Sequence, residues 1–401
     1  MGSFEILFNV AAFVAGLSLL ERGAKLFVSS ATTLAKRLHL PEMLVAILIA
    51  GAEWEELAVV ALSLAQRRPA LAVGNIIGSC VANIFGAFAL GLVFSTGAWE
   101  GFDRSSKAAC VALLALTSVV ALFALADILW NRVVAGLLLV SFVVYVVLVL
   151  WTIWRAMFYT EQPDETEDIE SGAAAHDHLD DTSSVDTFGS SSTASHHHAA
   201  GEAGESDPLV PKHGSSSSSS PSFYSSRLRK FHHTLIPILK LVCGFVALTV
   251  SGFILSHTST HLAASFDMSD AAFGATVLSL ATSLPEKFVA VMSSTRGHTG
   301  LLVADAVGSN VFLLTLCLGI AAWSIAAHGW HDHPADGRLG FVSISRIEAW
   351  WLWAAAVALT VVVAVGGKGV CKVAGVRQML GALMLVAYGG FLAVEFTILR
   401  G

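Results

Sequence analysis

The chain carries one segment twice, and the second copy aligns to the first without a gap. Residues 51–86 read GAEWEELAVVALSLAQRRPALAVGNIIGSCVANIFG, and the partner begins at Ala281 as ATSLPEKFVAVMSSTRGHTGLLVADAVGSNVFLL. Glu56 and Glu286 stand 230 positions apart, and the same offset relates Gly78 to Gly308, Ser79 to Ser309 and Val81 to Val311. Each copy sets a carboxylate inside an apolar run and follows it with a Gly-Ser pair. An acid at membrane depth costs on the order of 3 kcal/mol on insertion scales, so a matched pair marks a functional site by default.

The apolar character of the rest makes membrane depth the right frame. Of 401 residues, 55% are hydrophobic and 13% charged, with mean hydropathy +0.70. Such a chain cannot clothe a soluble core in polar surface. Repeated apolar runs of about 20 residues read as membrane helices, which satisfy their own backbone groups in lipid. The net charge of −7 says little, because many acids share one hydrophilic segment. Cys80, Cys110, Cys243, Cys317 and Cys371 show no paired spacing and read as small buried thiols. The N-terminus has no basic region or small-residue cleavage site, so the first span is expected to be retained.

In order, expected spans cover about 4–20, 40–64 and 70–94, with a fourth ending near Asp127 and a fifth near Trp154. Arg67, Arg68 and Pro69 form a tight turn. Residues 155–233 are Ser-, His- and acid-rich and read as a disordered linker that cannot offset its ordering entropy. Five further spans follow, near 235–256, 271–293, 300–327, 349–365 and 378–398. The expected fold is therefore all-α: a polytopic membrane protein of about ten helices, with one five-span repeat in 1–154 and another in 234–401. Because five is odd, the second repeat enters the membrane inverted, an architecture that puts ion sites at the repeat interface near the midplane. Lys and Arg gather on the linker side, so that side is expected to be cytoplasmic and both termini non-cytoplasmic, although Arg67 and Arg68 oppose the trend.

Residues three apart share a helix face, so Glu53 and Glu56 point the same way, while Glu55 lies about 100° round. Pro285 is expected to disrupt the helix at Glu286 and free carbonyls for a cation. Thr282, Ser283 and Ser309 add oxygens on that half, and Ser79 and Asn83 supply them on the other. Carboxylates with oxygen-only neighbours suit a hard cation such as Ca²⁺, and no zinc-like His or Cys spacing lies in the spans. Gly74, Gly78, Gly86 and Gly308 let helices approach closely. The blander reading of the two glutamates is a structural ion pair or interhelical hydrogen bond. Glu53 equally suits a water-facing role. Asp305, Glu348 and Glu395 read as packing or span-end groups, and the tryptophans, Trp99, Trp350, Trp351 and Trp353 among them, as an interfacial belt.

This arrangement resembles the sodium/calcium exchanger (cation/calcium antiporter) family, whose repeats typically read G-T-S-x-P-E and G-S-N-x-x-[ND]. The second copy fits well, with ATSLPE at 281–286 and GSN at 308–310. The resemblance implies a Ca²⁺ site between Glu56 and Glu286, flanked by Na⁺ or H⁺ sites and exposed alternately as the halves rock. The chain departs from the pattern at several places. Ala52, Glu53 and Glu55 stand where Thr, Ser and Pro are usual, and Cys80 replaces an Asn. Leu313 takes the place of a polar ligand, and Lys287 follows the key glutamate. Glu53 is expected to compensate for Leu313 and to carry protons. Lys287 either competes with the ion or turns about 100° away and pairs elsewhere.

The leading expectation is a secondary active antiporter exchanging Ca²⁺ for Na⁺ or H⁺. Alternatives are transport of Mg²⁺ or Mn²⁺, or a non-transporting sensor or scaffold relative. An enzyme is not expected, since no nucleophile with a base stands out. The expected partners are a lipid bilayer and inorganic cations, with no cofactor and no nucleic acid. Vacuolar or other internal membranes and the plasma membrane are equally compatible hosts.

Overall fold

The computed structural model describes residues 3–37, 53–95, 101–159, 223–295, 299–330, 343–366 and 373–397. Among the described residues every regular element is helical. In chain order the helices are α1 (Ser3–Arg37), α2 (Trp54–Ala65), α3 (Pro69–Val93), α4 (Arg104–Leu125), α5 (Arg132–Tyr159) and α6 (Phe223–Ser265). They continue as α7 (Asp270–Thr282), α8 (Leu284–Thr295), α9 (299–328), α10 (Arg346–Gly366) and α11 (Ala374–Thr397). Eight of the described helices are long and apolar enough to cross a membrane, or nine if α7 and α8 form one span bent by 49°. The polytopic all-α fold is thus as the sequence predicts. Residues 40–52 of the second expected span, Trp99, 160–222 of the linker, 331–342 and Cys371 lie outside the described residues.

Helix ends follow local chemistry. Asp103 caps α4 by accepting the Ser106 amide at 2.9 Å, and Ser269 caps α7 through the Ala272 amide at 3.1 Å. Ser345 and Glu348 form a reciprocal capping box at the start of α10, at 2.6 and 3.1 Å, so Glu348 is a span-end group. In the expected tight turn Arg67 takes a left-handed φ of 57°, and Pro69 opens α3 where its missing N–H costs nothing. Arg68 then reaches Asp270 at 3.4 Å, tying this turn to α7. Two boundaries differ from expectation. α5 runs on to Tyr159 and α6 starts at Phe223, both inside the stretch assigned to the linker. A helix nucleated in lipid propagates past the apolar run, because each added residue needs only one more hydrogen bond.

The duplication is visible in the elements. Shifting α2 by 230 residues gives 284–295, the bounds of α8. α3 contains a π-helical turn at Ala82–Phe88, and the same shift lands it over the π-helical turn Leu313–Cys317 of α9. The counterpart helices α1 and α6 pack on each other, as do α4 and α10; the end of α3 meets α11 while the end of α9 meets α5. Direct contact between counterparts is what a two-fold relation between halves produces.

α3 and α9 form the centre, with 89% and 72% of their most apolar stretches buried, against 22% for α1 and 17% for α5. Lipid tails are as apolar as Leu, so close packing must bring these helices together. Glycine provides it: a Cβ on Gly74 would stand 2.1 Å from the Ala271 carbonyl oxygen, and one on Gly78 2.2 Å from that of Ala275. At Gly308 the nearest described atom to a Cβ is the Tyr145 hydroxyl, 3.8 Å away; the segment matching α7 in the first half, the expected neighbour, lies outside the described residues. Cys80, Cys110 and Cys317 are buried as expected, but Cys243 is exposed on α6.

Candidate functional site

Two short helices begin at the centre of this packing, and each brings an acid with its first turn. Glu53 occupies the N-cap of α2, with Glu56 one turn on. Glu286 lies in the first turn of α8, just past the bend. Exposed N–H groups and the positive end of the helix dipole favour carboxylates at such positions. The interruption falls at Ser283 rather than at Glu286. Pro285 is the second residue of α8, a place where its missing N–H breaks no intrahelical bond.

Glu53, Glu56 and Glu286 lie near enough to repel one another. Asn83, at the start of the π-helical turn of α3, donates its Nδ2 to Glu53 Oε1 at 3.4 Å. From α9, Ser309 lies beside the same carboxylate and the charge of Asp305 acts on it, so both halves contribute to its surroundings. Ser79 is fully buried one turn before Asn83, and Leu313 is equally buried at the position matching Asn83. Thr282 lies on α7 beside the bend, its hydroxyl donated to the Leu278 carbonyl at 3.1 Å. Ser283 donates to the Ser279 carbonyl at 2.6 Å and accepts from Lys287. Glu55 lies within electrostatic reach of Glu21 and Lys25 of α1, and its charge also acts on Glu53, Glu56 and Glu286.

Lys287 faces the site. It is 8% exposed, and its charge acts on Glu286, Glu56 and Glu53. Of the two orientations open from sequence, the structure holds the one toward the carboxylates.

Asp305 was read from sequence as a packing or span-end group, yet its charge acts on Glu53. Its position matches Asn75, whose two side-chain polar atoms are buried without partners. The signal was present in the duplication: Asn75 and Asp305 each precede the serine of a Gly-Ser pair by four residues, on its helix face.

Both oxygens of Glu56, one each of Glu53 and Glu286, the Ser79 hydroxyl and the Asn83 carbonyl oxygen are buried and lack hydrogen-bond partners. Leaving a buried polar group unpaired costs on the order of 1–3 kcal/mol, more for charged ones. The shared chemistry of this orphaned set is oxygen with excess negative charge, which a hard cation satisfies. Among the described residues no three His, Cys, Asp or Glu side chains converge tightly enough to hold a metal by themselves. The set is mixed, with hydroxyl and amide oxygens beside the carboxylates.

A family model described as sodium/calcium exchanger protein matches residues 8–151 and 236–397. A protein of Alkalimonas amylolytica named as the antiporter CaxA is 25% identical over 387 residues, covering 95% of this chain and 97% of its own. Among solved structures, the sodium-calcium exchanger NCX_Mj aligns over 97% of this chain and 99% of its own, with TM-score 0.51 and 16% identity. Native YfkE aligns over 98% and 92%, with TM-score 0.56 and 12% identity. These structural likenesses speak to the fold.

Proposed function

The chain belongs to the sodium/calcium exchanger family, and from that premise we propose that it is a secondary active antiporter moving Ca²⁺ against Na⁺ or H⁺. One observation carries the reading. Glu56 and Glu286, from matching positions of the two halves, lie within electrostatic reach of each other at the starts of two short helices. The divalent ion binds these two acids with help from Glu53, Ser79, Asn83, Thr282 and Ser309, while the Ser283 hydroxyl, expected among them, is held by Lys287. Rocking of the halves exposes it to one side and then the other. In this reading residues 1–154 and 234–401 are inverted repeats, with 155–233 a cytoplasmic linker and both termini on the opposite side.

The test is Ca²⁺ flux into proteoliposomes holding the purified chain, with Na⁺ and pH gradients imposed separately. Flux driven by either gradient and lost in Glu56→Gln supports the reading. Wild-type vesicles no faster than empty ones would overturn it.

A further inference from the structure

Two cationic side chains are buried deeply among the described helices, and they differ in kind. Arg377 sits in the first turn of α11, where its Nε and Nη2 donate to the hydroxyl and carbonyl of Ser95; it is a span-end anchor. Lys287 sits in the site itself. Its Nζ donates to the Ser283 hydroxyl at 2.5 Å and the Ser283 carbonyl at 3.1 Å, one turn back at the bend between α7 and α8. Its Cε stands 3.0 Å from where a Cβ on Gly86 would lie, so the stem crosses to the other half and lies close against that glycine.

A hydroxyl and a backbone carbonyl at a helix break, facing carboxylates, make up the ligand set that an interrupted membrane helix offers to a monovalent cation. Here an ammonium already holds those two oxygens. The three carboxylates of the site with buried, unpartnered oxygens, Glu53, Glu56 and Glu286, set against one ammonium leave two negative charges, the charge that one divalent ion neutralises. We propose that Lys287 is a tethered cation occupying a monovalent-ion position of the transport site, so that a single divalent ion binds with no Na⁺ beside it. This rests on the antiporter reading above and selects among its counter-ions.

The experiment measures equilibrium binding of radioactive Ca²⁺ to the purified full chain in nanodiscs, titrated with Na⁺ and, for ionic strength, with choline. Lys287→Gln and Lys287→Met are compared with the wild type, each checked for its thermal transition. In the wild type, exchanging choline for Na⁺ shifts the apparent Kd less than about twofold, whereas in either variant it shifts about tenfold because Na⁺ enters the vacated position. A merely structural lysine would change stability and leave the response to Na⁺ as it was. Equal responses to Na⁺ in wild type and folded variants overturn the inference and leave the antiporter reading standing. Absence of Ca²⁺ binding in the folded wild type overturns both. Should neither variant fold, the wild-type titration decides: displacement by Na⁺ beyond choline overturns the proposal, and insensitivity supports it.

Discussion

Asn83 donates to Glu53 across 3.4 Å, linking the helix that carries the first Gly-Ser pair to an acid that a serine would occupy in the usual family pattern. Glu53 adds a third charge to a site built on two. Glu53→Gln keeps the shape and the Asn83 contact but removes that charge. The expected outcome is divalent flux that persists with a flatter pH profile; an unchanged profile in proteoliposomes would rule out a proton-carrying role.

Glu56 and Glu286 are expected to be individually indispensable. Each is at a helix start with an unpartnered buried oxygen, and Glu56 has two. Glu56→Gln and Glu286→Gln should each lower divalent flux by at least about 100-fold, since one lost carboxylate contact at a desolvated site is worth about 3 kcal/mol. The thermal transition should fall little, because removing a like charge relieves repulsion. Flux within a few-fold of wild type in either variant contradicts the assignment.

Gly78 tests the packing apart from the chemistry. A Cβ there would meet backbone at 2.2 Å, the carbonyl of Ala275, which has no rotamer to escape through. Gly78→Ala should destabilise by about 1–3 kcal/mol or more, as overpacking does, and lower the melting temperature in detergent. An unchanged melting temperature would show that the close crossing of α3 and α7 is not as described.

Asp103 offers a pH test outside the membrane. Its hydrogen bonds with Ser106 hold its carboxyl below the usual carboxylate range. A depressed folded-state value means that the stabilisation is present above pH about 4 and is lost as acid protonates the cap. Asp103→Ala should cost about 0.5–2 kcal/mol at neutral pH, the ordinary worth of an N-cap. Melting curves of wild type and variant should converge at the acid end; a constant gap would argue against the cap.

Much of this was legible in the sequence because lipid imposes a simple grammar. Apolar length predicts the spans, and the offset between Glu56 and Glu286 foretold that α2 and α8 would share bounds. Other features left no mark. A π-helical turn differs from an α-helical one by a single residue of winding, and neither 82–88 nor 313–317 departs from ordinary membrane composition. The direction of Lys287 escaped a rule based on helix angle alone, because a four-carbon stem folds back one turn to reach Ser283. For the same reason the Ser283 hydroxyl, read as free for an ion, is engaged by the ammonium. Asp305 was discounted by treating each residue singly instead of pairing it with Asn75.

The wide turns in α3 and α9 bear on how force travels through the molecule. Each begins about one turn after the Gly-Ser pair, so the part of the helix facing the acids is joined to its far end by one loosely wound stretch. The far end of α3 answers to other neighbours: Gly91 abuts Leu302 and accepts a hydrogen bond from Ser294, while Ala89 abuts Gly381. A helix wound in this way is two levers with a slack coupling. Any displacement of the stretch facing the acids is taken up in part at this looser winding, while the outer lever is held by its own partners.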